Sequence, residues 1–196
     1  MKQKYIIGID EVGRGPLAGP VTVGAIAARR RPNFLSGIKN SKKLSARQRE
    51  GWITKLKIHN SKHKSFTFAT ASVGPQIIDR IGISAAARLA VGRCLTKLAI
   101  RNKPHAIMLD GSLYAPRTYL NQETIIRGDE KVPIIAAASI FAKVHRDKKM
   151  IRLGKIFPKY GFASHKGYGT LRHIRAIKKH GLSPLHRETF CANILS

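Results

Sequence analysis

Acidic residues are scarce in this chain: ten Asp and Glu stand against 37 Lys and Arg, a formal charge of +27 over 196 residues. Such a charge opposes compaction unless a polyanion or counterions screen it, so nucleic acid is the first partner to consider. Cysteine is almost absent. Cys94 and Cys191 lie far apart without CxxC spacing, which excludes a disulfide framework and a thiolate zinc site and leaves two reduced thiols. No segment reaches the roughly 18 uninterrupted apolar residues of a membrane span, so no membrane association is expected. Residues 1–9 carry a short strand pattern without the long apolar region of a signal peptide, and the cytoplasm is the expected compartment. Seventeen glycines and nine prolines are too few for a disordered or collagen-like chain. The single tryptophan, Trp52, and the pair Phe66 and Phe68 read as core or helix packing, not as base-stacking platforms.

What is present is a core: 43% of residues are hydrophobic. A chain of this length buries roughly 70% of its unfolded surface. The basic residues are spread throughout, with no Lys/Arg-only tail and no repeat, so the charge belongs to a folded surface. No domain boundary is evident. Residues 1–196 are read as one domain, with a C-terminal helical part, about 150–196, expected to pack against the rest.

Residues 5–9 and 21–26 are apolar, β-branched runs joined by a Gly- and Pro-rich segment, which predicts an opening antiparallel pair. Residues 65–70 alternate and suit a third strand with one buried face. Between them, Ser45 and Gln48 form a capping box for a helix through Leu56. Ile83, Ala87, Ala90, Val91 and Leu98 predict a long packed helix after Gly82. Apolar runs at 106–109 and 124–126 follow. Pro133 suits the first turn of a helix through Ala136, Ala137, Ile140 and Val144, and residues 170–180 form another, ended by Gly181 and Pro184. The order predicts an α/β fold, a mixed sheet with helices on its faces.

The few acids carry the most information. Asp10 and Glu11 close the first strand, while Asp110 and Asp129 each follow a later apolar run. In a mixed sheet these ends can converge. Two carboxylates about 4 Å apart repel by roughly 4 kcal/mol at an effective dielectric of 20, so such a cluster needs a cation or raised pKa values. Oxygen-only ligation favours Mg²⁺ or Mn²⁺ and suits two-metal phosphodiester hydrolysis. Spacing alone leaves a second outcome equally open, in which each acid pairs with one of the abundant Lys or Arg.

The segment Gly8-Ile9-Asp10-Glu11-Val12-Gly13-Arg14-Gly15-Pro16-Leu17-Ala18-Gly19-Pro20 can form a tight loop that exposes backbone N–H groups to a sugar-phosphate chain. As a string it resembles the signature of type 2 ribonuclease H, the ribonuclease HII family. The resemblance continues through Asn40-Ser41-Lys42-Lys43-Leu44-Ser45, Leu109-Asp110-Gly111, Gly128-Asp129, Ile135-Ala136-Ala137-Ala138-Ser139-Ile140, Ala142-Lys143-Val144-His145-Arg146-Asp147, His165-Lys166-Gly167-Tyr168-Gly169-Thr170 and Ser183-Pro184-Leu185-His186-Arg187.

The resemblance implies a ribonuclease H-like mixed five-stranded sheet flanked by helices. It implies an enzyme that cuts the RNA strand of RNA/DNA hybrids and nicks DNA duplexes 5′ of an embedded ribonucleotide, leaving 3′-hydroxyl and 5′-phosphate ends. Its metal ligands fall on Asp10, Glu11, Asp110 and Asp129, with two Mg²⁺ or Mn²⁺ ions during catalysis. Discrimination must sense the 2′-hydroxyl. The resemblance assigns that to the backbone of Gly13, Arg14 and Gly15, and gives Tyr168 the task of packing on the next deoxyribose. Ser41, Lys42, Ser139 and Lys143 fall near the substrate backbone, where the lysines suit phosphate as point charges. A monomer is expected.

Two positions depart from the family pattern. Asn40 replaces an Asp, and Gly82 stands where the family commonly has an Asn near the substrate phosphates, with Ala85 and Ala87 at positions that are often polar. Altered phosphate gripping is expected, offset by general electrostatic attraction. Lys43 is read as a solvated charge and Arg146 as an ion-pair partner. His59 and His63 have i, i+4 spacing without a third ligand, so a solvated surface is expected there. His165 and His186 are expected near the site, without a proton-transfer role. The competing classes are a noncatalytic basic nucleic-acid-binding protein, which leaves the strand-end acids unexplained, and a type 3 ribonuclease H, whose glycine motif differs. A resolvase-like nuclease on the same fold is more distant.

Overall fold

The computed structural model describes residues 5–29, 32–38, 40–99 and 105–195. Residues 1–4 of the N-terminal strand pattern lie outside the described residues. Five strands form one mixed sheet: β1 (Tyr5–Val12), β2 (Val21–Arg29), β3 (Phe66–Val73), β4 (His105–Asp110) and β5 (Gln122–Ile125), in the spatial order β3-β2-β1-β4-β5. The first three pair antiparallel, as the hairpin-like opening requires. Both β4 and β5 join in parallel, β4 beside β1 and β5 beside β4. The segment between β3 and β4 carries α2 (Pro75–Ile81) and α3 (Ile83–Leu98), the helical crossover that parallel pairing demands.

One sheet face packs on α3 and the other on α5 (Pro133–Ile156). Because both faces are covered, β2 is buried along its length from Val21 to Ala28, which explains a continuous apolar run in place of alternation. Helix α5 is apolar all round in its first half, Ile134 to Ala142, because it lies at the centre of the molecule. Its close approach depends on missing side chains in the strands. A Cβ on Gly8 would lie 2.5 Å from the carbonyl carbon of Ile134, and one on Gly24 would strike the carbonyl oxygen of Ala138.

Several boundaries differ from the sequence pattern. Strand β1 continues to Val12, so Asp10 and Glu11 lie within it, since β2 supplies pairing partners to that point. Strand β5 begins at Gln122 and stops at Ile125, leaving Ile126 exposed. Helix α1 (Ala46–His63) has the expected Ser45–Gln48 capping box but runs past Leu56. Helix α5 extends beyond Val144 to Ile156. Phe68 is 42% exposed, with its ring tilted against that of Phe141 on α5 at 4.4 Å between centroids. Helix α4 (Gly128–Lys131), α6 (Phe162–His165) and α8 (Glu188–Leu195) have no clear periodicity to announce them. Helix α7 (Leu171–His180) starts at its Thr170 cap and ends at Gly181 as the residues predict.

Candidate active site

Strand alternation decides which way the acids point. On β1, Ile7 and Ile9 join the α3 core while Gly8 lies against α5, so Asp10 falls on the α5 face. On β4, Ile107 and Leu109 join the same α3 core, so Asp110 falls on the α5 face too. Parallel pairing of β1 with β4 ends at Ile9 and Leu109, which leaves Asp10 and Asp110 side by side just past it. Asp129 arrives from α4, not from a strand end, and its backbone N–H donates to Asp110 Oδ1 at 3.1 Å. Oxygens of Asp10, Asp110 and Asp129 all lie within 4.8 Å of one another.

Glu11, the fourth expected member, stands outside this group. Alternation turns it toward the α3 side, where Oε1 is 3.7 Å from Arg14 Nη1, and Arg14 in turn donates to Ser84 Oγ at 3.1 Å. Its other oxygen, Oε2, is buried without a hydrogen-bond partner.

The charges are poorly compensated. Burial, and after it the Glu11 and Asp110 carboxylates, push the Asp10 carboxyl well above the usual range, against hydrogen bonds from Ser139 and the Glu11 N–H. Burial also raises Glu11, with Arg14 opposing. Burial disfavours the Lys42 ammonium, but Asp129, Asp10 and Asp110 outweigh it and raise its pKa; its Nζ lies 3.5 Å from Asp129 Oδ2. An all-oxygen donor set in which burial disfavours the charged form of Asp10, with an orphaned Glu11 carboxylate oxygen beside it, fits a hard divalent cation such as Mg²⁺ or Mn²⁺. Asp10, Asp110 and Asp129 could hold it, with Glu11 adjacent.

The expected substrate-side residues divide into two groups. Ser41 and Ser139 are buried and meet each other, so both face the interior behind Asp10. Lys42 is largely exposed beside the acids. Lys143, one turn beyond Ser139 on α5, is tied to Asp147 at 3.0 Å. Gly13, Arg14 and Gly15 continue directly from β1, and Gly15 faces open space. Tyr168 is 42% exposed, with its ring 5.9 Å from the Arg146 guanidinium carbon.

The departures have simple consequences. Asn40 caps the turn Ser41–Lys43 by accepting from the Lys42 N–H at 2.8 Å, a task an Asp performs equally well. Gly82 forms the joint between α2 and α3 at φ +79°, with nothing near a would-be Cβ.

Two arginines were not legible as site residues. Arg146, expected in an ion pair, is fully buried and donates instead to the carbonyls of Pro20 and Ala18. Arg187, also fully buried, donates to Gly13, Arg14 and Gly19. Both lie in segments that resemble the family, but composition and spacing do not reveal which of the 37 Lys and Arg are buried against the loop. His165 and His186 sit with His173, Tyr160 and Phe162 rather than among the carboxylates. They support the Gly-rich loop: Ala18 and His186 form a β-bridge, and Leu17 N–H donates to the Gly167 carbonyl at 2.9 Å. His59 stacks on Phe34 with the His63 ring tilted beside it, and the three acids are the sole metal-capable group of three or more ligands among the described residues.

The whole chain is similar to known proteins. The sequence profile described as Ribonuclease HII matches residues 7–193. The chain belongs to the ribonuclease HII family. It is 44% identical over 185 residues to the ribonuclease HII of Endomicrobium trichonymphae, covering 94% of this chain and 84% of that protein. The Coxiella burnetii (strain Dugway 5J108-111) ribonuclease HII is 43% identical over 186 residues, covering 94% and 87%. Among solved structures, the ribonuclease H2 of Pyrococcus horikoshii superposes with a TM-score of 0.74 at 25% identity, covering 97% of each chain. This ribonuclease HII family member is therefore an enzyme, a nuclease of the ribonuclease H class that acts on nucleic acid. Among the described residues, no helix is long and apolar enough to cross a membrane.

Proposed function

We propose that this chain hydrolyses the RNA strand of RNA/DNA hybrids and nicks DNA duplexes 5′ of embedded ribonucleotides, leaving 3′-hydroxyl and 5′-phosphate ends. The observation that carries this reading is the gathering of Asp10, Asp110 and Asp129 within 4.8 Å in a protein of charge +27. A free carboxylate cluster repels phosphate, so a protein built only to bind nucleic acid has no use for one. Asp10, Glu11, Asp110 and Asp129 would hold two Mg²⁺ or Mn²⁺ ions. Bound there, such ions activate a water and stabilise the leaving 3′-oxygen, so no Ser or Cys nucleophile is required.

The chain's own residues orient the parts. Ser139 fixes the Asp10 carboxyl and Lys42 meets a phosphate beside Asp129. Lys143 adds a second charge along the strand, released from Asp147 when phosphate competes for it. The backbone of Gly13, Arg14 and Gly15 senses the 2′-hydroxyl, and Tyr168 packs on the following deoxyribose, where a further 2′-hydroxyl would crowd its ring. In this reading residues 1–196 act as one catalytic domain and as a monomer.

The test is a duplex carrying one ribonucleotide, incubated with Mg²⁺, Mn²⁺ or chelator, beside an all-DNA duplex and an RNA/DNA hybrid. Metal-dependent cleavage 5′ of the ribonucleotide and none on all-DNA duplex is expected. Binding without cleavage under every metal condition would overturn the reading.

A further inference from the structure

Arg187 is fully buried, yet no carboxylate lies within ion-pair distance among the described residues. A buried cation without an anionic partner is costly, and an apolar side chain of similar volume would serve packing better. Its charge is instead met by three carbonyl oxygens of the Gly-rich loop. Nη2 donates to Gly13 at 2.6 Å, Nη1 to Arg14 at 2.7 Å, and both Nε and Nη2 to Gly19, at 3.0 and 2.9 Å. The backbone around it is pinned too, since Arg187 N–H donates to the Leu17 carbonyl and Gly19 N–H to the Leu185 carbonyl, both at 2.8 Å.

No peptide bond here is cis. In a planar trans peptide the C=O and the following N–H point in opposite directions. Drawing the Gly13 carbonyl inward therefore turns the Arg14 N–H outward, and drawing the Arg14 carbonyl inward turns the Gly15 N–H outward. Neither amide donates to any described residue, and the space beside Gly15 is open. The loop thus presents two adjacent unpaired donors on the side away from Arg187.

We infer that Arg187 is the positioning residue that fixes the Arg14 and Gly15 amides for the 2′-hydroxyl and so sets the preference for ribonucleotides. The inference rests on the proposed function above. A planar fork can hold three carbonyls at once, whereas a lysine ammonium is a point donor on a flexible stem.

The experiment compares the wild type with Arg187→Lys and Arg187→Gln. Affinities for a one-ribonucleotide duplex and for the matching all-DNA duplex are measured in chelator, and kcat and KM for the former in Mn²⁺. The variants are expected to lose about 10-fold of the affinity ratio between the two duplexes, the loss appearing in KM, with all-DNA binding within about twofold of wild type. Equal losses on both duplexes, an unchanged ratio, or failure of both variants to fold would make Arg187 a structural residue and overturn the inference. A wild type that cleaves the ribonucleotide duplex while the variants keep its ratio sinks only the role of Arg187. A wild type that cleaves nothing sinks the proposed function and this inference with it.

Discussion

The hydroxyl oxygens of Ser41 and Ser139 lie 2.7 Å apart in a buried contact between residues 98 positions apart in sequence. Ser139 also supports the Asp10 carboxyl, so one side chain links the turn that carries Lys42 to the acid at the centre of the site. Replacing it by alanine leaves the Ser41 hydroxyl buried without this partner and weakens support for Asp10. Ser139→Ala is expected to cost about 1–2 kcal/mol of stability. Urea denaturation gives that cost, and initial cleavage rates should fall alongside it.

Asp10→Asn keeps the shape of the side chain and its acceptor oxygen but removes a charge that burial and neighbouring carboxylates already disfavour. Cleavage is expected to drop at least about 100-fold, because cation binding needs the charge. Stability in metal-free buffer at pH 7 should instead rise by about 1 kcal/mol, seen as an increase of about 2–4 °C in Tm. A variant that lost both activity and stability would contradict this account of the site.

Gly8→Ala tests the approach of α5. The added methyl carbon would meet the Ile134 backbone, which has no rotamer by which to yield. A loss of about 2–3 kcal/mol is expected, at the upper end for overpacking. Thermal unfolding of the variant decides it, and a neutral outcome would mean that α5 shifts without cost.

Burial, followed by the influence of His165 and His186, holds His173 down to about 4 from its ordinary 6.5, although its bond to the Tyr168 carbonyl opposes the shift. Between those values the unfolded chain binds a proton that the folded chain refuses, so stability falls as pH drops through this window. The loss reaches about 3 kcal/mol by pH 4, and His186 shifts in the same direction. Urea midpoints at pH 7.5, 5.5 and 4.5 measure it. Because this cluster underlies the Gly-rich loop, activity should decline over the same range.

The charge of +27 predicts a steep loss of duplex affinity with salt. Lys42→Ala should reduce the slope of log K against log salt by about one, with similar effect on all sequences. Titrations from low to moderate salt provide the slope, and a shallow one would remove electrostatics as the compensation for Gly82.

Much of the scaffold was legible in the residues themselves. Local rules sufficed for the capping box at Ser45, the Thr170 cap, Pro133 at the head of α5 and the apolar strand runs, since each depends on neighbours a few positions away. Alternation along β1 and β4 also contained the facing of Asp10 and Asp110, and even the turning of Glu11 toward the other side. The short helices α4, α6 and α8 were hidden because tertiary packing, not periodicity, stabilises them. What the chain determined alone was its chemistry: few acids, many bases, and a glycine-rich strand exit. Only the folded structure decided that Asp129 meets Asp110 from a helix, and that two of many arginines are buried to hold the loop from behind. Burial of a charge depends on which carbonyls surround it, and those carbonyls come from segments more than a hundred residues away.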